Sequence, residues 1–167
     1  MPISVSRSSV SVCTRLLGSL DVFIDKADAY TTARKLDPDA LLLARLYPDM
    51  YHFTRQVQAT TDQARNIVRL LGGEPPKYEN SEKTFADLKG RVAKTVTFLG
   101  TLDAALLDAS ADTQLALPMG GQTMQMSGAD YLLNLVLPNF YFHLTAAYSI
   151  LRHNGVEVGK RDFLAFR

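Results

Sequence analysis

The fold of this protein is decided by residues 129–153, which read ADYLLNLVLPNFYFHLTAAYSILRH. Apolar residues occupy nearly every side of the helix that this stretch would form, so we expect the most buried helix of the molecule here. Ser127 is a suitable N-cap, and Gly155 would end the helix. Pro138 lies inside it and removes one backbone donor, which predicts a kink.

Three further amphipathic helices precede this one along the chain. Their apolar residues recur at intervals of three or four, which is the helical period. The predicted helices cover about 9–34, 39–71 and 84–107. Pro48 interrupts the second helix and predicts a kink or a brief break near Leu46–Tyr47. Thr84 and Asp87 have the spacing of a capping box at the start of the third helix.

A short β-hairpin is predicted between the third and fourth helices. Residues 113–126 read TQLALPMGGQTMQM, in which apolar side chains alternate on both sides of a central glycine pair. Gly120 and Gly121 are the two residues expected in a tight primed turn. That turn places two cross-strand pairs on one face, Leu117 with Met124 and Leu115 with Met126. So small a hairpin is marginal alone and must lay this face on the helices.

These elements predict an all-α fold, an up-and-down four-helix bundle with the small β-hairpin inserted before its last helix. With 167 residues, the chain is most simply one domain spanning residues 1–167. The chain has 18 Lys and Arg residues and 17 Asp and Glu residues, so its net charge is +1. This charge gives no broad electrostatic reason to bind nucleic acid or an anionic membrane. No apolar run is long enough to span a bilayer, and the N-terminus lacks a signal-peptide pattern, so we expect a cytoplasmic protein.

Several catalytic classes find no support in the sequence. The chain has no Glu-x-x-His motif for a di-iron centre, no glycine-rich phosphate loop and no Gly-x-Ser-x-Gly nucleophile elbow. Cys13 is the only cysteine, and we expect it to be a buried small apolar residue rather than a nucleophile.

The three histidines are the remaining candidates for chemistry. His143 continues the apolar stripe of the last helix and should point inward, where it is either a hydrogen-bonded core residue or a metal ligand. His52 lies on the more polar flank of the second helix, although a kink at Pro48 could turn it inward. His153 lies at the polar end of the last helix, where a solvated residue is expected.

Three stretches resemble a known family. They are YPDMYHFTRQVQ at 47–58, SGADYLL at 127–133 and LPNFYFHLTAAYSILRHNGVEVGKRDFL at 137–164. Together they resemble an uncharacterised bacterial domain-of-unknown-function family within the DinB/YfiT-like superfamily. The resemblance implies a four-helix bundle, often dimeric. In many members a divalent metal, nickel or zinc, is held by one histidine of the second helix and a His-x-x-x-His pair of the fourth.

The resemblance also assigns candidate metal ligands, and it shows a departure from the family pattern. His143 takes the place of the second histidine of the pair, and His52 lies in the element that would supply the third ligand. Asn139 stands where the first histidine of the pair would be. Nickel and zinc prefer imidazole to an amide oxygen, so the site of His143, His52 and Asn139 is expected to be degenerate.

Two functions remain open at this point. The first is a homodimer that binds a small ligand or a protein partner, with the degenerate metal pocket as a remnant. The second is a divalent-metal-dependent hydrolase or thiol transferase of the DinB/YfiT type, in which Tyr51, Tyr141 or Tyr148 would position a substrate. The sequence does not decide between an enzyme and a binding protein.

Overall fold

The structure is a computed structural model that describes residues 3–165 of the chain, the side chain of Met119 excepted. The helices are α1 (Val12–Arg34), α2 (Asp39–Leu42), α3 (Phe53–Arg65), α4 (Phe85–Leu99), α5 (Ala104–Asp108), α6 (Gly128–Asp130), α7 (Leu137–His153) and α8 (Lys160–Phe163). Strands β1 (Gln114–Met119) and β2 (Gln122–Ser127) form one antiparallel hairpin. The prediction of a mostly helical protein with a small hairpin before the last long helix is confirmed.

The four longest helices pack against one another in pairs. Helix α3 lies against α7 and α4, and α1 lies against α4 and α7. Each contributes a fully buried large side chain to a shared core, namely Phe23, Phe53, Leu88 and Phe140. Burial of each such side chain contributes about 1.5–3 kcal/mol. The interface between α3 and α7 is the most extensive of these contacts. Side chains at this interface are therefore positioned by two helices that each also pack against a further helix.

The segment between α2 and α3 departs from the sequence prediction. The break expected near Pro48 is present, but it extends over residues 43–52, so the prediction of one nearly continuous helix over 39–71 is wrong. The Phe53 N–H donates to the Ala44 carbonyl oxygen at 2.9 Å, a bond that closes the loop. The loop carries Met50 and Tyr51 to the N-terminus of α3. A 3-10 turn, Asn66–Leu71, extends the other end of that helix.

The third predicted helix is shorter than expected. Its capping box is confirmed, because Thr84 accepts from the Asp87 N–H at 3.1 Å and Asp87 accepts from the Thr84 N–H at 3.0 Å. The helix ends at Leu99, so the prediction that it reaches residue 107 is wrong. Asp103 accepts two backbone hydrogen bonds and begins a separate short helix, α5. The N-cap at Asp103 therefore starts a new helix instead of allowing the third one to continue.

The last long helix begins where expected, since Ser127 accepts from the Asp130 N–H at 3.1 Å. The irregularity predicted at Pro138 takes the form of a π-helical turn, Tyr131–Val136, directly before α7. Proline has no N–H to donate, so the hydrogen-bond ladder must change around it. The Asn139 side chain donates to the Leu135 carbonyl oxygen at 2.7 Å and so satisfies an acceptor of this turn.

The hairpin has the predicted register, with Leu117 opposite Met124 and Leu115 opposite Met126. Gly120 and Gly121 form the turn at φ values of 59° and 82°, which side chains rarely adopt. Leu115 and Leu117 are buried and Met126 packs against the core, whereas Met124 is exposed. The predicted apolar face is therefore only partly covered by the helices.

The junction between β2 and α7 requires a glycine. The Gly128 N–H donates to the Thr113 carbonyl oxygen at 2.9 Å. A Cβ at Gly128 would overlap the Ser110 carbonyl oxygen and press on Leu70. The chain therefore passes too close to its neighbours here for any side chain.

The C-terminal segment packs back on the helices. Val156 and Val158 belong to the core, and Ser19 donates to the Phe163 carbonyl oxygen at 2.9 Å. Lys26 pairs with Asp162 at 2.7 Å. Within residues 3–165, no helix is both long enough and apolar enough to cross a bilayer.

Candidate functional site

A cavity of about 230 Å³ opens where the N-terminus of α3 meets the middle of α7. The loop before α3 supplies three of its six lining residues, and α3 and α7 supply the other three. Its lining residues are Asp49, Met50, Tyr51, Gln56, Phe142 and His143. Of the three residues expected to hold a metal, only His143 lines this cavity.

The His143 ring is held by a chain of hydrogen bonds that fixes its tautomer. The Gln56 amide nitrogen Nε2 donates to the Tyr51 carbonyl oxygen at 3.2 Å, so the Gln56 oxygen Oε1 is the atom that faces His143. That oxygen lies 2.8 Å from His143 Nδ1. Because an amide oxygen can only accept, Nδ1 carries the proton. The other ring nitrogen, Nε2, is left as a bare acceptor, and no hydrogen bond among the described residues uses it.

Two aromatic side chains fix the plane of the same ring. Tyr51 stacks on His143 with ring centres 6.1 Å apart, and Phe142 meets it edge-on at 5.3 Å. Burial lowers the pKa of His143 below the ordinary value, and the positive charge of Arg55 lowers it further. Asp62 acts in the opposite direction but is the smallest of the three influences. The ring is therefore a neutral base at physiological pH.

The structure gives His52 a capping role. It is the N-cap of α3, and its Nδ1 accepts the Arg55 N–H at 3.3 Å. A hydrogen bond to the Leu42 carbonyl oxygen favours the protonated ring, but burial and the charge of Arg45 outweigh it, so the pKa of His52 is lowered. The Nδ1 nitrogen of this ring is thus engaged with the backbone of α3.

The donors present do not match a three-histidine metal centre. His143 offers one free imidazole nitrogen, His52 is engaged in capping, and the Asn139 amide is bonded to the backbone of its own helix. Across residues 3–165, no three His, Cys, Asp or Glu side chains come together in a group able to hold a metal ion. Catalytic zinc needs three protein ligands beside an open position.

A partly buried ionic network joins α3, α4 and the segment between them. Asp62 accepts from Arg91 at 2.6 Å, from Arg65, and from Arg55 at 3.3 Å. Arg91 also donates to Glu82 at 2.8 Å. The side chains of Arg65 and Arg91 are only 6% and 2% exposed. The network ties the segment between α3 and α4 to both helices.

Sequence reasoning missed Gln56 and the arginine network. Gln56 is not singled out by the sequence pattern, yet it is buried and is the partner of His143. The available signal was the composition of α3, in which only Phe53, Val57, Ala59 and Ala64 are apolar, so that polar side chains must also be buried and need partners. Of the tyrosines considered for substrate positioning, Tyr51 lines the cavity and Tyr148 packs on Phe23.

The single thiol lies elsewhere and is enclosed. Burial raises the pKa of Cys13 to about 12, so the thiol stays protonated and unreactive. His153, at the end of α7, is exposed as predicted.

Comparison with known proteins places this geometry in a family. Residues 6–164 match the family described as "Domain of unknown function (DUF1993)". A solved structure described as a DinB family member protein from Shewanella denitrificans superposes with a TM-score of 0.88 at 38% sequence identity, covering 95% of this chain and 90% of that one. No curated protein matches. The chain therefore belongs to the DUF1993 family of domains of unknown function and has a DinB-like fold.

Proposed function

We propose that this protein is a small-ligand-binding protein whose metal pocket is degenerate, and that the ligand occupies the cavity at His143. The observation that carries the proposal is the hydrogen bond of 2.8 Å between Gln56 Oε1 and His143 Nδ1. It directs the proton to Nδ1 and leaves Nε2 as a fixed, neutral acceptor. A ligand that donates a hydrogen bond is the natural complement of this atom.

The size and the walls of the cavity narrow the ligand further. A volume of about 230 Å³ exceeds the roughly 150 Å³ that suffices for a benzene ring in an apolar cavity. Tyr51, Phe142 and Met50 provide flat or flexible apolar contacts. A single aromatic ring with a hydroxyl group would fit in the space and use the acceptor.

Phenol and toluene test the proposal, because they have the same shape and differ in the hydrogen-bond donor. Toluene is more apolar than phenol, so a cavity that binds only through apolar contacts would prefer toluene. We expect phenol to bind about three- to tenfold more tightly, the value of one net hydrogen bond. Chemical-shift changes of labelled protein during titration would report both affinities.

A pair of variants ties the result to the proposed atom. His143→Phe keeps a flat ring between Tyr51 and Phe142 but removes the acceptor, so the preference for phenol should vanish. His153→Phe, at the exposed end of the same helix, is the matched control and should retain it. Equal affinity for phenol and toluene in the natural protein would overturn the proposal.

A divalent-metal-dependent hydrolase or thiol transferase is the second candidate. It is favoured by the same His143–Gln56 bond, because metal-binding histidines usually donate their other N–H to an oxygen acceptor, and by the DinB family description of the solved relative. It would require His52 to leave its capping bond. Calorimetric titration with Ni²⁺ or Zn²⁺ tests it. One ion bound per chain, lost in His143→Phe and kept in His153→Phe, would favour this candidate over the degenerate pocket.

We also propose that the protein forms a homodimer, in which its four long helices make an up-and-down bundle in each copy. Support comes from exposed apolar side chains on α7 and on the π-helical turn before it, where Leu133, Tyr141 and Phe142 are 57%, 38% and 59% exposed. Sedimentation should give the mass of a dimer, and Leu133→Glu should produce monomers. Leu106→Glu, at an equally exposed leucine of α5, should not. A monomeric natural protein would refute the dimer.

The remaining expectations from the sequence support the same assignment. The near balance of charge supports a small molecule or protein partner rather than nucleic acid. We propose a cytoplasmic location and a single domain over residues 1–167. Fractionation of the expressing cells would test the first, and a single cooperative unfolding transition would be expected for the second.

A further inference from the structure

A single negative charge lines the proposed ligand cavity. Of the six described residues around it, only Asp49 carries a charged side chain, since the histidine is neutral. Pro48 and Asp49 are the central residues of a β-turn, which the Met50 N–H closes by donating to the Tyr47 carbonyl oxygen at 3.0 Å. Proline favours the first of these two positions because its φ is already set. The sequence thus holds Asp49 at the cavity through an ordered turn.

The Asp49 carboxylate is available to a ligand. Its residue is exposed, and it belongs to none of the salt bridges within residues 3–165. The cavity also presents His143 Nε2, which is a bare acceptor because Gln56 holds the proton of the ring on Nδ1. A carboxylate and an unprotonated imidazole nitrogen both require donors, so the two groups favour the same kind of ligand.

Two arginines carry the positive charges of this region, but neither is among the residues that line the cavity. Arg45 donates to the Met50 carbonyl oxygen, and Arg55 pairs with Asp62 at 3.3 Å. Burial first and Arg55 second lower the pKa of His143, whereas Asp62 opposes the influence of Arg55. The charge that a ligand meets directly in the cavity is therefore negative.

The cavity has room for a second substituent beside the hydroxyl group of the ligand. Its volume of about 230 Å³ exceeds the roughly 150 Å³ that suffices for a benzene ring, so a short arm can accompany the ring. Asp49 and His143 line this one space. A ligand of one ring and one short arm therefore has both residues among its neighbours.

We propose that the ligand of the cavity is a small aromatic amine in its protonated form, whose ammonium group pairs with the Asp49 carboxylate. The inference rests on the proposed function, in which a hydroxyl group of the ligand donates to His143 Nε2, and it adds the chemical class. An ammonium group has three N–H donors and no acceptor, so it complements a carboxylate. Because Asp49 is exposed, water and salt weaken the pair and the gain in affinity is modest.

Three probes that share a 4-hydroxyphenyl group test this class, because they differ in the charge of one short arm. At neutral pH 4-hydroxybenzylamine is positive, 4-hydroxybenzyl alcohol is neutral with nearly the same shape, and 4-hydroxybenzoate is negative. At low salt we expect the amine to bind about two- to fivefold more tightly than the alcohol, the value of one exposed ion pair. The benzoate should bind most weakly, and sodium chloride should reduce the differences. Chemical-shift titration of labelled protein measures all three affinities.

Asp49→Asn keeps the size of the side chain and removes its charge, so the amine should lose its advantage while the alcohol binds as before. Asp39→Asn is the matched control, because it neutralises an exposed aspartate of α2 that is not among the lining residues, and it should preserve the advantage. Equal affinities of amine and alcohol in the natural protein, tightest binding by the benzoate, or an advantage that survives Asp49→Asn would overturn the aromatic amine.

Failure of this inference can be told apart from failure of the proposed function. If phenol binds more tightly than toluene but the amine and the alcohol bind alike, the proposed function stands and only the amine is overturned. If phenol itself does not bind, the proposed function and this inference fall together.

Discussion

Asp62 is the carboxylate shared by both buried arginines, and Asp62→Asn removes its charge with almost no change in shape. Its oxygen Oδ1 accepts from Arg91 at 2.6 Å and from Arg65. After the substitution, Arg91 still has Glu82 at 2.8 Å. Arg65 is left with no anionic partner: it keeps neutral contacts with the Pro76 carbonyl oxygen and the Tyr78 ring, and its Nε has no hydrogen-bond partner among the described residues.

The expected loss follows from that difference between the two arginines. Removing one partner of a buried ion pair typically costs about 3–5 kcal/mol, because it leaves an uncompensated buried charge. Only Arg65 meets that description, and Asp62 is itself 29% exposed, so water reduces the penalty. We therefore expect a decrease of about 3 kcal/mol in the free energy of unfolding. For a chain of this length the melting temperature should fall by about 6–12 °C.

Urea denaturation followed by circular dichroism measures this decrease directly. Asp25→Asn is the matched control, because Asp25 accepts from Lys89 but its side chain is 57% exposed. That variant should stay within about 0.5 kcal/mol of the natural protein. A loss below about 1 kcal/mol for Asp62→Asn, with an unchanged slope against urea, would refute the role given to the network.

Three further predictions follow from the structure. The pKa values of His52 and His143 are lowered, so the unfolded chain binds protons that the folded chain does not, and the free energy of unfolding should fall as the pH drops from about 7 to 5. The double variant His52→Asn and His143→Phe, in which asparagine keeps the cap, should lose this pH dependence. An unaltered pH dependence in that variant would contradict the assignment. Gly128→Ala should destabilise the folded protein by about 2 kcal/mol or more, because the added Cβ overlaps the backbone of a neighbouring segment. Gly18→Ala, in open space on α1, should stabilise it by about 0.5–1 kcal/mol. Equal melting temperatures for the two variants would count against this packing. Cys13 should react with a thiol reagent only at the rate of unfolding, and rapid labelling of the folded protein would show that the thiol is not enclosed.

The helices were predictable because the apolar residues that each helix buries recur at intervals of three or four. The apolar stripes that include Phe23 and Phe140 are examples. The hairpin register was predictable because Gly120 and Gly121 leave only one two-residue turn. The lengths of the helices were not, since their ends depend on contacts between distant segments. The Phe53 N–H bonding to the Ala44 carbonyl oxygen is one such contact.

The candidate site was predictable only in part. The inward direction of His143 followed from its place in the apolar stripe of α7. Its partner Gln56 could not be identified, because that depends on which flank of α3 faces α7. The capping role of His52 was equally hidden, since Ser, Thr, Asp and Asn are the usual N-caps. The arginine network joins α3, α4 and the segment between them, and nothing in a local pattern predicts such a contact.

The protonation of the His143 ring decides whether the cavity can accept a hydrogen-bond donor. Long-range ¹H–¹⁵N correlation spectra of the uniformly labelled protein report which imidazole nitrogen carries the proton, and loss of a signal set in His143→Phe assigns the ring. At neutral pH, we predict a proton on Nδ1 and none on Nε2, because Gln56 Oε1 can only accept. A proton on Nε2 with a bare Nδ1, or a doubly protonated ring, would contradict the proposed site.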